Sequence, residues 1–179
     1  MKKLFVTIAV LIVLVLTQDI FAQQTPVTDN ISAKGTVITH ISVTSKRDLD
    51  FGNDIVPGVV KAVDKSAANA GKFSLAGQPS REISITFTLP TTLSYLTNTL
   101  PISFTTTDAG YQTGASIVPF NPAVVQNASF SATGTMDVFL GGKVTPSAGQ
   151  VSGFYTAPVN ISLHYKLINN KIELKQKCL

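Results

Sequence analysis

Alternation between apolar and polar residues is the feature that most constrains the fold of this 179-residue chain. Successive side chains of a β-strand point to opposite faces, so a period of two predicts a strand with one buried and one solvated face. The long alternating rows cover residues 37–43, 83–89, 100–104, 130–140 and 159–167, with shorter pieces at 59–63 and 72–76.

Turn residues separate these rows. Two or more residues that favour turns, drawn from Gly, Pro, Asn, Asp and Ser, occur in each of the segments 54–58, 77–80, 108–110, 121–122, 141–142 and 146–149. No stretch after residue 23 keeps a helical period over eleven residues, and segment 64–70 is interpreted as a loop. Seven to nine short strands with regular turns predict an all-β antiparallel β-sandwich.

The first 22 residues predict a secretory signal peptide. Lys2 and Lys3 precede an apolar run over 4–16, and Ala22 is a small residue before the expected cut. The run is shorter than the roughly 20 residues of a membrane span, which disfavours the alternative of an uncleaved anchor. We expect an exported protein, at the cell surface or extracellular after passage through the periplasm, with no membrane span after cleavage. Its β-sandwich domain covers 23–165, and a C-terminal hairpin or tail covers 166–179.

Charge and cysteine content narrow the range of partners. The formal net charge of +4 is mild and the lysines do not cluster before the tail, which argues against nucleic-acid binding. Cys178 is the only cysteine, so no intramolecular disulfide can form and stability must come from the core. A lone terminal cysteine could pair with another chain or remain a free thiol.

The sequence predicts no catalytic residue, no cofactor and no metal site. His40 and His164 both occupy polar-face positions of expected strands. Asp48, Asp50 and Asp54 lack the ligand spacing and closing Glu of a calcium loop. No nucleophile elbow, zinc-binding helix or phosphate-binding glycine loop occurs.

Segment 106–128 is the longest polar stretch that contains aromatic residues, namely Tyr111 and Phe120. Aromatic and amide side chains together suit weak glycan binding through stacking and hydrogen bonds. A variable surface loop is the other interpretation of the same residues.

Several short elements resemble a known family when taken in order. They are 48–52 with 56–58, the glycine-bounded strand 71–77, the strand 83–90, the glycine-pair turn 140–144, and the closing residues Gln150, Gly153, Tyr155 and Tyr165. Together they resemble a family of bacterial secreted, fimbrial-subunit-like (pilin-like) β-sandwich domains of unknown function. The chain departs from chaperone–usher pilins in having fourteen residues after Tyr165 and no disulfide pair.

The resemblance implies an immunoglobulin-like sandwich that lacks one strand and takes an extended segment from another copy or a related surface subunit. Such head-to-tail contacts do not close, so they build filaments. The possible donors are 23–31, with Val27 and Ile31 as apolar anchors, and 34–43, which could also be the first strand. Alternatively, the tail 167–174 would turn at Asn169-Asn170 and complete its own domain.

Two functions follow as hypotheses. The first is a non-catalytic structural subunit of a fimbria-like or cell-surface assembly. The alternative is a self-contained secreted or surface domain of adhesin type that binds a glycan or host ligand.

Overall fold

The computed structural model describes Ser32, Val37 and residues 39–166. The chain divides into two units, 1–36 and 37–179, and the description below concerns the second. The predicted signal peptide, Cys178 and the tail after Lys166 lie outside the described residues.

Twelve short strands account for the regular structure of the described residues, and no helix occurs among them. The strands are β1 (Ser42–Arg47), β2 (Lys61–Val63), β3 (Gly71–Ala76), β4 (Glu82–Thr88), β5 (Thr92–Tyr95), β6 (Asn98–Ser103), β7 (Ala109–Gln112), β8 (Val118–Phe120), β9 (Gln126–Ser129), β10 (Thr135–Leu140), β11 (Gly142–Val144) and β12 (Asn160–Tyr165). Within the same residues, no helix is long and apolar enough to cross a membrane.

The strands form three sheets, and every pairing is antiparallel. The sheet orders are β1-β3-β10-β7-β8, β12-β4-β9 and β2-β11-β6-β5. The five-stranded and three-stranded sheets share one core, to which Leu75 and Val138 contribute from the first sheet and Ile83 and Ile85 from the second. The prediction of an all-β antiparallel sandwich is therefore confirmed.

The four-stranded sheet has its own smaller core around Leu100, Ile102 and Val144. The chain passes from the main sandwich into this sheet without a loop at Gly141, because β10 ends at Leu140 and β11 begins at Gly142. A Cβ on Gly141 would fall on the carbonyl oxygen of Val63 and within 2.7 Å of the amide nitrogen of Lys65. The predicted glycine-pair turn at 141–142 is wrong, since this pair carries one continuous chain from one sheet into another.

Two predicted rows are longer than the strands that form. Only the second half of row 130–140 is a strand, because β9 ends at Ser129 and β10 begins at Thr135. The hydroxyls of Ser131, Thr133 and Thr135 hydrogen-bond one another at 2.9–3.1 Å, and Gly134 takes a φ of 78° that few other residues adopt. Row 37–43 likewise becomes a strand only from Ser42 onward.

A charged network stabilises the outer face of the five-stranded sheet. Asp137 accepts a hydrogen bond of 2.7 Å from the Ser74 hydroxyl and pairs with the Lys72 ammonium at 2.8 Å. Burial by itself raises the pKa of Asp137, but the hydrogen bonds from Lys72 and Ser74 and the charges of Lys72 and Lys46 outweigh it. The pKa therefore lies below the ordinary value of 3.8.

This lowered pKa predicts an acid-sensitive contribution to stability. A carboxylate with a depressed folded-state pKa stabilises the fold fully above its unfolded pKa, and the contribution disappears as the pH falls through the folded value. We expect Asp137→Asn to lower the free energy of unfolding at pH 7 and to differ progressively less from the parent protein below pH 3.8. Urea titrations of both proteins from pH 7 to about pH 2 measure this difference. A gap that stays constant with pH would contradict the prediction.

Candidate strand-binding groove

Two strand edges on one side of the sandwich have no partner among the described residues. β1 pairs only with β3, and β12 pairs only with β4. Since β3 and β4 face each other across the core, their outer neighbours β1 and β12 flank the same interior. The Tyr165 hydroxyl, at the end of β12, donates a hydrogen bond of 2.6 Å to the carbonyl of Thr39, just before β1. The two free edges therefore border one opening, which we call the β1–β12 groove.

The apolar row of β12 is incompletely covered. Its partner strand β4 buries Ile83, Ile85 and Phe87 at 0, 0 and 8 % exposure. The residues of β12 directly opposite them are Tyr165, Leu163 and Ile161, and all three remain half-buried. Among the described residues, no strand lies beyond β12, although β12 carries apolar side chains that could pack against one.

The β1 edge is open in the same way. Val43 points inward beside Leu75, yet it is 45 % exposed where Leu75 is 2 % exposed. Phe73, the next inward residue of β3, is half-buried. At the opposite edge of the five-stranded sheet, β8 buries Phe120 to 6 % exposure, while its inward-facing Val118 is 45 % exposed.

The backbone of β12 is also available along this edge. The amide of Lys166 donates to the carbonyl of Glu82, which marks these two residues as a hydrogen-bonded pair of the β12–β4 ladder. Hydrogen-bonded and non-hydrogen-bonded pairs alternate along an antiparallel ladder. The peptide groups of Ile161 and Leu163 therefore point away from β4, toward the groove.

The Tyr165 corner, formed by Tyr165, Gln78 and Thr39, bounds one end of the groove. The Tyr165 hydroxyl accepts a hydrogen bond of 2.7 Å from the backbone amide of Gln78 and donates one to the carbonyl of Thr39. The side-chain oxygen of Gln78 in turn accepts from the amide and the hydroxyl of Thr39, both at 3.1 Å. Gly77 leaves room for this arrangement, because a Cβ there would lie 2.8 Å from the Tyr165 hydroxyl. The sequence predicted Tyr165 as a member of the alternating row 159–167 and through the family resemblance, and the structure shows in addition that its hydroxyl joins β12 to the segment before β1.

The side chains considered for chemistry are dispersed. His40 and His164 are both exposed. Asp50 accepts a hydrogen bond from the Gly52 amide, and Asp54 pairs with Lys61 at 3.0 Å. No cluster of three or more His, Cys, Asp or Glu side chains that could hold a metal ion is found within the described part of the chain.

The prediction of one long loop over 106–128 is wrong, since this segment contains β7, β8 and the start of β9. Phe120 stacks on Phe87 with ring centroids 6.2 Å apart, and Tyr111 packs against Phe120 at the same distance. Phe120 is buried in the main core and Tyr111 is partly buried against it, so both rings already pack against other side chains. Glycan binding therefore remains a prediction, and these two aromatic rings do not support it.

The groove presents apolar side chains at alternate positions with free peptide groups between them. An extended peptide segment needs both features in order to add to a sheet edge. No protein-family model matches the chain, and no curated protein matches its sequence.

Proposed function

We propose that this protein is an exported, non-catalytic structural subunit of a fimbria-like or other cell-surface assembly. Its immunoglobulin-like, pilin-like sandwich accepts an extended segment of another copy in the β1–β12 groove. The observation that carries the proposal is the half-buried row of Ile161, Leu163 and Tyr165 opposite the buried inward face of β4. The predicted signal peptide is consistent with assembly outside the cell.

Strand addition here would combine two favourable terms. Completing the burial of a partly exposed aliphatic side chain contributes up to about 1 kcal/mol, and each backbone hydrogen bond adds a net 0.5–1.5 kcal/mol or so. A segment that covers Val43, Ile161 and Leu163 and pairs with β12 gains several of each. Because the donor belongs to another copy, the contact is heterologous and can repeat into a filament.

The donor is a separate part of the proposal. The segment before β1, at 23–36, is the candidate for exchange between copies, because it precedes the domain and carries Val27 and Ile31 as apolar anchors. The tail 166–179 is the competitor, since it continues directly from β12.

The test is the mass of the native protein by size-exclusion chromatography with light scattering, beside an unboiled denaturing gel. We expect a ladder of species that resists detergent until the sample is boiled. Deleting 23–33 should abolish the ladder, whereas deleting 166–179 should leave it or increase it. A monomer whose mass does not change with concentration would contradict the proposal.

A matched pair of substitutions on β1 tests whether formation of the ladder depends on the β1–β12 groove. Val43 faces the groove, and its neighbour Thr44 faces the other side of the sheet. We expect Val43→Lys to abolish the ladder, because a donor strand would have to bury the new charge, while Thr44→Lys leaves it unchanged. Loss of the ladder in both variants, or in neither, would argue against this site.

A further inference from the structure

Three loops meet at the end of the domain that lies away from the Tyr165 corner. β10 begins beside that corner, where the carbonyl of Gly134 accepts from the amide of Gly77, and β11 continues to Val144. The loop that follows, 145–159, accepts hydrogen bonds of 3.1 and 3.2 Å from the Gly58 amide in the loop between β1 and β2. The Gln150 side chain of the same loop donates to the carbonyl of Thr99, beside the β5–β6 turn.

These loops carry most of the exposed large apolar side chains of the described residues. Six of the eleven such side chains lie in them, and each is exposed over about half of its surface or more. The six are Val56 (55 %), Val59 (56 %), Val60 (54 %), Leu96 (84 %), Val151 (49 %) and Phe154 (80 %). We call this surface the apolar end.

The backbone holds the two most exposed of these side chains in place. Ser94 and Thr156 exchange two backbone hydrogen bonds of 2.9 and 3.1 Å, which join the strand before Leu96 to the loop that carries Phe154. Between them, the rings of Tyr95 and Tyr155 pack with centroids 5.7 Å apart. Leu96 has a φ of 52°, a conformation that is costly for a leucine and that recurs at functional sites.

The chemistry of the apolar end selects the kind of partner. Its nearby charges are Asp54 and Lys61, which pair at 3.0 Å, and Lys143 of β11, so a net charge of one offers little attraction to a nucleic acid or an anionic headgroup. The protein has no tryptophan, which loops that insert into membrane interfaces favour. Together the six side chains expose on the order of 600 Å², at the top of the range of about 300–600 Å² for the largest apolar patch on a monomer. These properties fit a partner protein whose surface is also apolar and carries little net charge.

We propose that the apolar end binds the apolar end of a second copy around a two-fold axis. The opposite end of the domain is polar, with Thr39, Gln78, Ser131 and Thr133 at its surface or partly exposed there. A head-to-tail contact of unlike ends would therefore bury apolar groups against unpaired polar groups, whereas a two-fold contact matches apolar with apolar. The area of such a contact approaches the roughly 800 Å² per partner of a standard interface.

The test is sedimentation equilibrium of the Val43→Lys protein, in which strand addition is blocked and the apolar end is intact. We expect a reversible dimer that dissociates in detergent without boiling. Leu96→Asn with Phe154→Ser should weaken the dimer at least about 100-fold, since each substitution removes an anchor from both sides of the interface. Asparagine tolerates the backbone conformation at position 96, so this variant should stay folded by circular dichroism.

Val124→Ser with Val125→Ser is the matched control, because these valines are 55 and 59 % exposed in the loop between β8 and β9. It should leave the dimer unchanged. A Val43→Lys protein that stays monomeric up to about 1 mM would overturn the inference and leave strand addition untouched. A dimer that survives the Leu96 and Phe154 substitutions would overturn it as well.

Discussion

Replacing Gly141 with alanine should lower the free energy of unfolding by about 3 kcal/mol, a large share of the roughly 5–15 kcal/mol available to a domain. The added methyl group would meet the carbonyl of Val63 and the amide of Lys65, which are backbone atoms and cannot rotate away. Relief requires β2 and the following loop to shift away from β11. Urea unfolding followed by circular dichroism gives the change in free energy directly.

Gly149→Ala is the control for this substitution. A Cβ at Gly149 meets no atom within 4 Å, and its backbone lies outside the left-handed region. This variant should change stability by no more than about 0.5 kcal/mol in either direction. Equal effects at positions 141 and 149 would mean that the change of sheet at Gly141 does not restrict the side chain there.

Truncating Ile85 should destabilise the isolated domain far more than truncating Leu163, although the two residues lie directly opposite each other in adjacent strands. Ile85 is fully buried, so Ile85→Ala leaves a cavity and should cost about 3–4 kcal/mol. Leu163 is half-buried at the open groove, where solvent reaches the site, and Leu163→Ala should cost about 1–1.5 kcal/mol. Urea unfolding of the monomer fraction of each variant measures the difference.

The same pair of variants reports on the state of the groove. Once a donor strand covers β12, Leu163 becomes interior and its truncation should also weaken the assembled form. Ser162→Ala, on the solvated face of β12, is the control and should have little effect in either form. Equal costs for Ile85→Ala and Leu163→Ala in the monomer would show that the groove is already filled, which contradicts the open edge described above.

Alternation predicted the central strands well because it reports one-sided burial directly. Row 83–89 contains β4 almost entirely, and its apolar members Ile83, Ile85 and Phe87 are all buried. The same signal failed across 130–134. Ala132 and Gly134 continue the period there, but they are small residues that fit a turn as readily as a strand, and Gly134 adopts a positive φ.

The groove could be predicted only in part. Its side chains were assigned to the correct face of β12, because that property is local. Their partial exposure depends on which strands end up at sheet edges, and this is fixed by contacts between residues far apart in the chain. For the same reason the short strands β7 and β8 were missed: Phe120 packs on the distant Phe87 and Tyr111 packs on Phe120, which no local pattern indicates.

The Tyr165 corner also imposes an order on folding. Its hydrogen bond to Thr39 spans 126 residues, so it can form only after nearly the whole domain has been synthesised. Until β12 has been synthesised, one edge of β4 stays unpaired, and the hydrogen bond from Tyr165 to Thr39 cannot form. Contacts this distant in sequence slow folding and lengthen the exposure of unpaired edges. A nascent chain of this protein is therefore vulnerable to aggregation until β12, the last of the described strands, has been synthesised.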